Sequence, residues 1–290
     1  ILSKTFHKKR INLKKILITG ANGMLGTAIA AALKDYELFS FSSKELDITC
    51  SFQLDQKVKN IQPDYIINCA AYTAVDLAET EQEKAYKINA LAVQKMAQVA
   101  KQYNATLIHF STDYVFKGNA ATPYTTDQKT DPINAYGASK LAGEKAITQI
   151  GGNHYIFRIS WLYAPHGKNF FNWVANTGME ELNIVNSQTG SPTSALHVAD
   201  FIDHLLKNDP TAYGIYHFTN QGDMTWYAFA KAINQKLHLD KKINPVATFK
   251  TAAARPAYSV MDCEQTERIF NYKIPSISNG LEEIISNYKS

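Results

Sequence analysis

An alternation of short apolar runs with longer helical patterns is the feature that most constrains how this chain can fold. The runs are rich in β-branched and aromatic residues, and the segments between them carry apolar residues at helical spacing. Repeated strand–helix–strand units require crossover connections, which produce a mainly parallel sheet with helices on both faces. The predicted strands are Ile16–Thr19, Leu38–Phe41, Tyr65–Cys69, Thr106–Phe110 and Tyr155–Ile159, and the predicted helices are Met24–Leu33, Ser51–Ile61, Glu79–Tyr103 and Asn134–Ile150.

This regularity fades after about residue 163, where prolines and glycines interrupt shorter segments, although helices are still indicated at Ala199–Leu206 and Trp226–Leu237. We therefore predict an α/β fold, a Rossmann-type doubly wound parallel sheet with a smaller, mostly C-terminal substrate-binding domain. Residues 14–163 are the predicted NAD(P)-binding Rossmann domain. Residues 164–290 mainly form the substrate-binding domain, with some segments returning to the sheet, and residues 1–13 are a basic extension that we expect to be disordered.

Composition and charge exclude several classes of function. Thirty Lys and Arg against 26 Asp and Glu leave a net charge of +4, which is too weak to indicate nucleic-acid binding. No apolar stretch approaches the roughly 18 residues that cross a bilayer. Cys50, Cys69 and Cys263 show no paired spacing, so neither a disulfide framework nor a cysteine zinc site is indicated, and we expect a cytoplasmic location.

A glycine-rich turn follows the first strand and opens the first helix. Gly20, Gly23 and Gly26 are spaced G-x-x-G-x-x-G. Glycine lets a pyrophosphate approach the backbone, and the amides at the helix N-terminus then bind the anion. The alternative is a tight structural turn, but the position at a strand-to-helix junction favours a dinucleotide site.

The end of the second strand bears on the choice of dinucleotide. An acid there would hold a ribose 2′-hydroxyl, whereas this chain has Ser42, Ser43 and Lys44 and no carboxylate. We therefore expect NADPH to be favoured over NADH, with an ordinary polar strand end as the alternative. Asp47 and Ile48 follow, where they could flank the adenine.

Tyr136 and Lys140 are four residues apart, so on a helix both side chains project from one face. A Tyr and a Lys at this spacing usually form a pair on the protein surface without a catalytic role. Here, however, the segment from Ser111 to Tyr114, which contains Thr112, comes at the end of the fourth predicted strand, where a parallel sheet opens its binding crevice. This constellation suits carbonyl reduction: Thr112 would hold the carbonyl oxygen, Tyr136 would protonate it, and Lys140 would bind the nicotinamide ribose.

With these residues in place, the chain resembles the dTDP-4-dehydrorhamnose reductases, the RmlD-like branch of the extended short-chain dehydrogenase/reductase family. The match runs from about Lys14 to the end of the chain. The segments that carry it are GANGMLG at 20–26, NCAAYTAVD at 68–76, FSTDYVF at 110–116, YGASKLAGE at 136–144, RISWLY at 158–163, QTGSPT at 188–193 and RPAYS at 255–259.

The resemblance implies reduction of the C4 ketone of dTDP-4-dehydro-6-deoxy-L-mannose to dTDP-L-rhamnose, a step in cell-surface polysaccharide biosynthesis. It also implies a site. The catalytic residues would be Thr112, Tyr136 and Lys140; the cofactor would meet Gly20, Gly23, Met24, Leu25, Gly26, Ser42, Asp47, Ile48, Ala71, Tyr72, Thr73, Phe110, Tyr136 and Lys140; the sugar would meet Val75, Thr112, Asp113 and Trp161. Tyr72 departs from the family pattern, which often has His there, and Ser187 stands where an Asp is common.

Other functions stay open at this point. A nucleotide-sugar dehydratase is disfavoured because Tyr114 stands where such enzymes have Glu. A 4-epimerase, another nucleotide-sugar 4-reductase and a non-catalytic regulatory subunit of this fold remain alternatives. The resemblance also allows a homodimer and a Mg²⁺ ion at a subunit contact. His197 and His204 lie beside Asp200 and Asp203 on a helical segment, where we expect a solvated face and no metal site.

Overall fold

A parallel sheet forms the centre of the molecule in the computed structural model, which describes residues 13–289; the predicted extension at 1–13 therefore lies almost wholly outside the described residues. The strands of this sheet are β1 (Lys15–Thr19), β2 (Glu37–Phe41), β3 (Tyr65–Asn68), β4 (Thr106–Thr112), β5 (His154–Ile159) and β10 (Gly214–His217). Their order is β2-β1-β3-β4-β5-β10, and all neighbours pair in parallel. The predicted α/β fold is confirmed. Strand β10 was not predicted from the sequence.

Helices cover both faces of the sheet. The bounds in this part of the chain are α1 (Met24–Ala32), α2 (Ser51–Ile61), α3 (Val75–Ala78), α4 (Gln82–Tyr86), α5 (Ala92–Gln102) and α6 (Ala135–Ile150). Successive strand residues point to opposite faces. Ile16 and Ile18 accordingly belong to the core under α1, whereas Leu17 belongs to the core under α2 and α5.

The predicted helix Glu79–Tyr103 is wrong at its start and in its regularity. Helix α4 begins at Gln82, and a π-helical turn, Lys87–Leu91, separates α4 from α5. Within that turn, the side-chain oxygen of Asn89 accepts a hydrogen bond from the Tyr72 amide at 2.9 Å. The side-chain nitrogen of Asn89 donates to the Tyr72 carbonyl at 3.0 Å and to Ser139 Oγ at 2.9 Å. π-helical turns of this kind are frequent at functional sites.

The later part of the chain contributes to the sheet and also forms a separate core. Helix α8 (Ala195–Asn208) packs against α1, and it extends the predicted Ala199–Leu206 at both ends. Helix α9 spans Trp226–Leu237, as predicted. The remaining elements are β6 (Leu162–Tyr163), α7 (Phe170–Asn176), β7 (Glu181–Val185), β8 (Thr189–Gly190), β9 (Thr193–Ser194), β11 (Met224–Thr225), β12 (Lys242–Val246), α10 (Glu264–Phe270) and α11 (Ile277–Lys289).

The separate core joins α7, α9 and α11 to the parallel pair β7–β12, through residues such as Phe171, Leu182, Phe229 and Leu281. The division of the chain at residues 163 and 164 stays a prediction. Among the helices described between residues 13 and 289, none combines the length and the apolarity that crossing a bilayer requires.

Candidate active site

A cleft opens at the carboxyl ends of the strands, where β2 and β3 lie on opposite sides of β1. This is the position at which doubly wound sheets bind ligands, because the connections diverge there. Two adjoining cavities of about 350 and 280 Å³ make up the cleft. Both cavities are lined by Gly23, Cys69, Ala70 and Ala71.

The glycine turn lies between β1 and α1 and can accommodate an anion. Gly20 has a φ of +65°, and a Cβ there would approach the Ala70 nitrogen to 2.7 Å. A Cβ on Gly26 would lie 2.3 Å from the Gly20 oxygen, so Gly26 is required for the packing of α1 on the turn. Among the described side chains none caps α1 at Gly23, which leaves the first amides of this helix suited to a phosphate.

The end of β2 differs from the sequence expectation. The amide and the hydroxyl of Ser42 both donate to Glu45 Oε2, at 2.8 and 2.7 Å. The interpretation that no carboxylate lies at this point is therefore wrong, because Glu45 folds back from three residues further along the chain. The hydrogen bonds from Ser42 also hold the pKa of Glu45 below its usual value, so the acid is charged at neutral pH.

Thr112, Tyr136 and Lys140 meet at the larger cavity. Thr112 ends β4, whereas Tyr136 and Lys140 lie on successive turns of α6, which begins after the N-cap Asn134. The Thr112 hydroxyl donates to Asp113 Oδ1 at 3.0 Å. Burial raises the pKa of Tyr136, which keeps its phenol protonated and able to act as an acid.

The side-chain nitrogen of Lys140 is buried beside this cavity. Its Nζ donates to the Phe110 carbonyl at 2.6 Å and lies 3.3 Å from His109 Nε2. Burial lowers the pKa of Lys140 to about 8, although the negative charge of Glu144 acts in the opposite direction. Lys140 can therefore gain or lose a proton near neutral pH.

Two further polar groups at the larger cavity are buried and lack a hydrogen-bond partner among residues 13–289. They are Ser111 Oγ and Asp113 Oδ2. Burial raises the pKa of Asp113 to about 6, while hydrogen bonds from Ser259 and Thr112 lower it. Unpaired buried polar atoms in a cleft are the groups that a polar ligand would satisfy. The sequence reasoning missed Ser111, although it directly precedes Thr112.

Trp161 forms part of the wall of the larger cavity. Its φ of +46° lies in the left-handed region, which costs a non-glycine residue roughly 1 kcal/mol or more. The indole stacks on Trp226, with ring centroids 3.6 Å apart and planes inclined by 5°. Trp226 was not predicted as a site residue, because it comes from α9, far away in the sequence.

Most of the other predicted site residues line one of the two cavities. These are Gly20, Gly23, Met24, Leu25, Asp47, Ile48, Ala71, Thr73, Phe110 and Asp113. Gly26, Ser42, Tyr72 and Val75 line neither. Tyr72 packs against Ala78 and Ala85, and its hydroxyl donates to Glu81 Oε2 at 3.0 Å.

The structure gives no support for the metal ion that the resemblance allows at a subunit contact. Within the part of the chain that the structure describes, no group of three or more His, Cys, Asp or Glu side chains could hold a metal. The expected solvated face at His197 is wrong. His197 is buried and contacts Asn220 at 2.6 Å and Glu283 at 2.8 Å.

A glycine turn at the switch point of a parallel sheet, together with a Thr–Tyr–Lys set beside it, defines a nicotinamide-dependent oxidoreductase of the short-chain dehydrogenase/reductase class. Comparison with known proteins narrows this class. The family model described as the RmlD substrate binding domain matches residues 14–290. The chain belongs to this family.

Named relatives agree with this assignment. The dTDP-4-dehydrorhamnose reductase of Escherichia coli K12 is 36% identical over 289 residues, which cover 93% of this chain and 97% of that protein. The spore coat polysaccharide biosynthesis protein SpsK of Bacillus subtilis is also 36% identical, over 86% of this chain and 89% of its own. The crystal structure of the Bacillus anthracis dTDP-4-dehydrorhamnose reductase in complex with NADP matches with a TM-score of 0.91 and 38% identity, covering 95% of this chain and 99% of that one.

Proposed function

We propose that this chain reduces the C4 ketone of dTDP-4-dehydro-6-deoxy-L-mannose to the alcohol of dTDP-L-rhamnose. The observation that carries the proposal is the meeting of Thr112, Tyr136 and Lys140 at a cleft that adjoins the glycine turn. Relatives with the name of this activity align over nearly the whole chain, which supports the choice of sugar nucleotide.

The reduced nicotinamide, when bound, supplies the hydride to C4. The Thr112 hydroxyl orients the carbonyl oxygen, and the Tyr136 phenol gives its proton to that oxygen as negative charge develops there. Lys140 holds the nicotinamide ribose and stabilises the phenolate that remains on Tyr136. Hydride and proton together convert the ketone to the alcohol, and Tyr136 then regains a proton from solvent.

The substrate-binding residues in this proposal are Asp113, Trp161 and Val75. The free Asp113 Oδ2 can accept a sugar hydroxyl, and the Trp161 ring offers an apolar wall to the sugar. Val75 lies at the start of α3, outside both cavities, and its part rests on the resemblance alone.

NADPH is the proposed hydride donor, with NADH also accepted. Ser43 at the smaller cavity and the neighbouring Lys44 favour a 2′-phosphate, whereas the charge on Glu45 opposes it. The NADP complex of the Bacillus anthracis relative supports this choice.

The cysteines of residues 13–289 are free, in accord with the cytoplasm that we propose as the compartment of this protein. A homodimer is proposed from the resemblance, and light scattering at several concentrations tests it.

The experiment is sugar-dependent oxidation of NADPH, followed by absorbance, with dTDP-4-dehydrorhamnose generated in situ. Parallel runs with NADH and without sugar rank the cofactors and give the background. Oxidation with dTDP-rhamnose as product is the expected result. Product formed without consumption of stoichiometric NADPH would instead indicate an epimerase.

Tyr136→Phe tests the proton donor. We expect turnover to fall by roughly 10²- to 10⁴-fold while NADPH still binds, because only the acid is removed. Tyr114→Phe is the matched control, since this second phenol lies edge-on to Tyr136 with ring centroids 5.9 Å apart. Near-normal turnover of Tyr136→Phe would exclude Tyr136 as the donor.

A further inference from the structure

A row of polar side chains crosses the sheet beneath the cleft. Thr19, Asn68 and His109 are register partners on β1, β3 and β4, so their side chains point to the same face. Each of the three is at most 1% exposed. Thr19 Oγ1 donates to Asn68 Oδ1 at 2.7 Å, and Asn68 Nδ2 lies 3.0 Å from His109 Nδ1. The row ends at Lys140, whose Nζ lies 3.3 Å from His109 Nε2.

The orientation of Asn68 is determined by a donor that cannot change. The Ala70 amide points at Asn68 Oδ1 at 3.2 Å, so this atom must be the oxygen. The Asn68 amino group therefore faces His109 and donates to Nδ1. Burial holds the pKa of His109 well below its usual value, so the ring is neutral. A neutral ring that accepts at Nδ1 carries its hydrogen on Nε2.

The Nε2–H group of His109 consequently points at Lys140 Nζ. An ammonium has no lone pair, so it cannot accept this hydrogen, whereas a neutral amine can accept it and still donate to the Phe110 carbonyl. Glu144 and Tyr136 each lie one turn away from Lys140 on α6, and Glu144 is paired with Arg158 at 2.7 Å. Glu144 favours the ammonium.

We infer that His109, oriented by Asn68, is a positioning residue for Lys140: its Nε2–H group fixes Nζ over the Phe110 carbonyl and favours the neutral amine in the free protein. When a phenolate appears on Tyr136, the amine takes up a proton from solvent and becomes the ammonium. Lys140 thus becomes charged in response to the phenolate that catalysis creates. A permanent ammonium would carry its charge before the reaction begins. This role of the ammonium rests on the proposed function, whereas the placement of the amine does not.

The test is a pH titration of Lys140 in the free protein by NMR, with ¹³C at the ε-carbon of lysine and the signal assigned through Lys140→Arg. His109→Leu removes the N–H group, so we expect the titration midpoint to rise by about one pH unit. His109→Gln restores an N–H donor and should return the midpoint toward the wild-type value. A midpoint that His109→Leu leaves unchanged would overturn the inference.

Asn68→Asp is the second variant, and it covers the case in which His109→Leu fails to fold. A carboxylate at this position accepts from Ala70, from Thr19 and from His109 Nδ1, so the ring hydrogen moves to Nδ1. His109 Nε2 then becomes an acceptor that favours the ammonium, and the Lys140 midpoint should rise. An unchanged midpoint in this variant would also contradict the inference. Because the readout needs no sugar nucleotide, failure of the proposed reductase activity would be seen separately.

Discussion

Burial shifts the ionisable side chains around the cleft toward their neutral forms. It raises the pKa of Asp113 to about 6, lowers that of Lys140 to about 8 and raises that of Tyr136. Desolvation penalises a charge of either sign, so the three shifts have one cause. The cleft therefore presents an acid and an amine that can change charge near neutral pH, together with a phenol that holds its proton.

The charge on Asp113 should make the folded protein less stable at neutral pH. Its pKa is 3.8 in the unfolded chain and about 6 when folded, so ionisation costs stability as the pH rises through this range. Asp113→Asn should raise the free energy of unfolding by about 3 kcal/mol at pH 8 and by less at pH 5. Denaturant unfolding at the two pH values measures this. An equal increase in the free energy of unfolding at pH 5 and pH 8 would show that ionisation of Asp113 is not the cause.

The same substitution should weaken binding of the sugar nucleotide, because the amide can no longer offer a charged acceptor at the Oδ2 position. We expect a higher KM for the sugar in Asp113→Asn with the KM for NADPH unchanged. For wild type, the sugar KM should rise as the pH falls through about 6, where Asp113 gains its proton. A pH-independent sugar KM between pH 5 and 8 would remove Asp113 from substrate binding.

Glu45 should decide how strongly NADPH is preferred to NADH. Its carboxylate lies at Ser42 and repels a 2′-phosphate, so Glu45→Gln should improve the preference for NADPH by roughly two- to fivefold. Ser42→Asp should act in the opposite direction. Glu37→Gln, at the exposed start of β2, is the matched control. The measurement is the ratio of kcat/KM for the two cofactors, and an unchanged ratio in Glu45→Gln would refute this role.

At the scale of elements, the cleft depends on contacts between elements that are far apart in the sequence. The loop after β5 carries Trp161 in a left-handed conformation, and the ring of Trp226, the first residue of α9, supports it. An aromatic stack of this kind contributes about 0.5–1.5 kcal/mol beyond the area it buries. The stack thus offsets backbone strain at the wall of the proposed sugar site.

Removing the Trp226 ring from this stack should disturb the proposed sugar site and leave the cofactor site unchanged. In Trp226→Ala we expect the KM for the sugar nucleotide to rise by roughly three- to tenfold, with little change in the KM for NADPH. Trp173→Ala is the control, because Trp173 is an exposed tryptophan of α7 that packs on Phe170. Steady-state kinetics measure both constants. A rise in the NADPH KM alone would contradict a role at the sugar wall.

For the whole molecule, the two predicted domains share a core. Helix α8 brings Phe201 and Ile202 against the same face of the sheet as Ile16 and Phe157, and β10 extends the sheet beyond β5. Asp76 of α3 also forms an ion pair with Arg255 of the C-terminal segment, with 2.8 Å between the guanidinium nitrogen and the carboxylate oxygen. Contacts of this kind couple the stability of the two parts.

We therefore expect the chain to unfold in one cooperative transition. Calorimetry should give a single peak whose calorimetric and van't Hoff enthalpies agree. A fragment of residues 14–163 should expose the face that α8 covers and should bind a hydrophobic dye or aggregate. Two separate peaks, or a monomeric fragment with sharp tertiary signals, would show that residues 14–163 fold independently.

Much of this architecture could be predicted because it is local. The alternation of apolar runs and helical periods predicts β1 to β5, and a Tyr and a Lys four residues apart share a helix face whatever else surrounds them. Strand β10 (Gly214–His217) escaped prediction because it lies where the regular alternation has faded, and its pairing with β5 defines it. Glu45 was missed because its bonds to Ser42 depend on how the chain turns after β2.

By itself, the sequence determined the parallel α/β class, the glycine turn and the identity of the proposed catalytic side chains. The tertiary structure decided how those side chains are charged and held, because burial and partners arise only when distant elements pack. Trp161 thus meets Trp226, and a neutral His109 faces Lys140. Spacing along the chain sets which groups can share a helix or a strand end, whereas desolvation and hydrogen-bond direction depend on the whole fold.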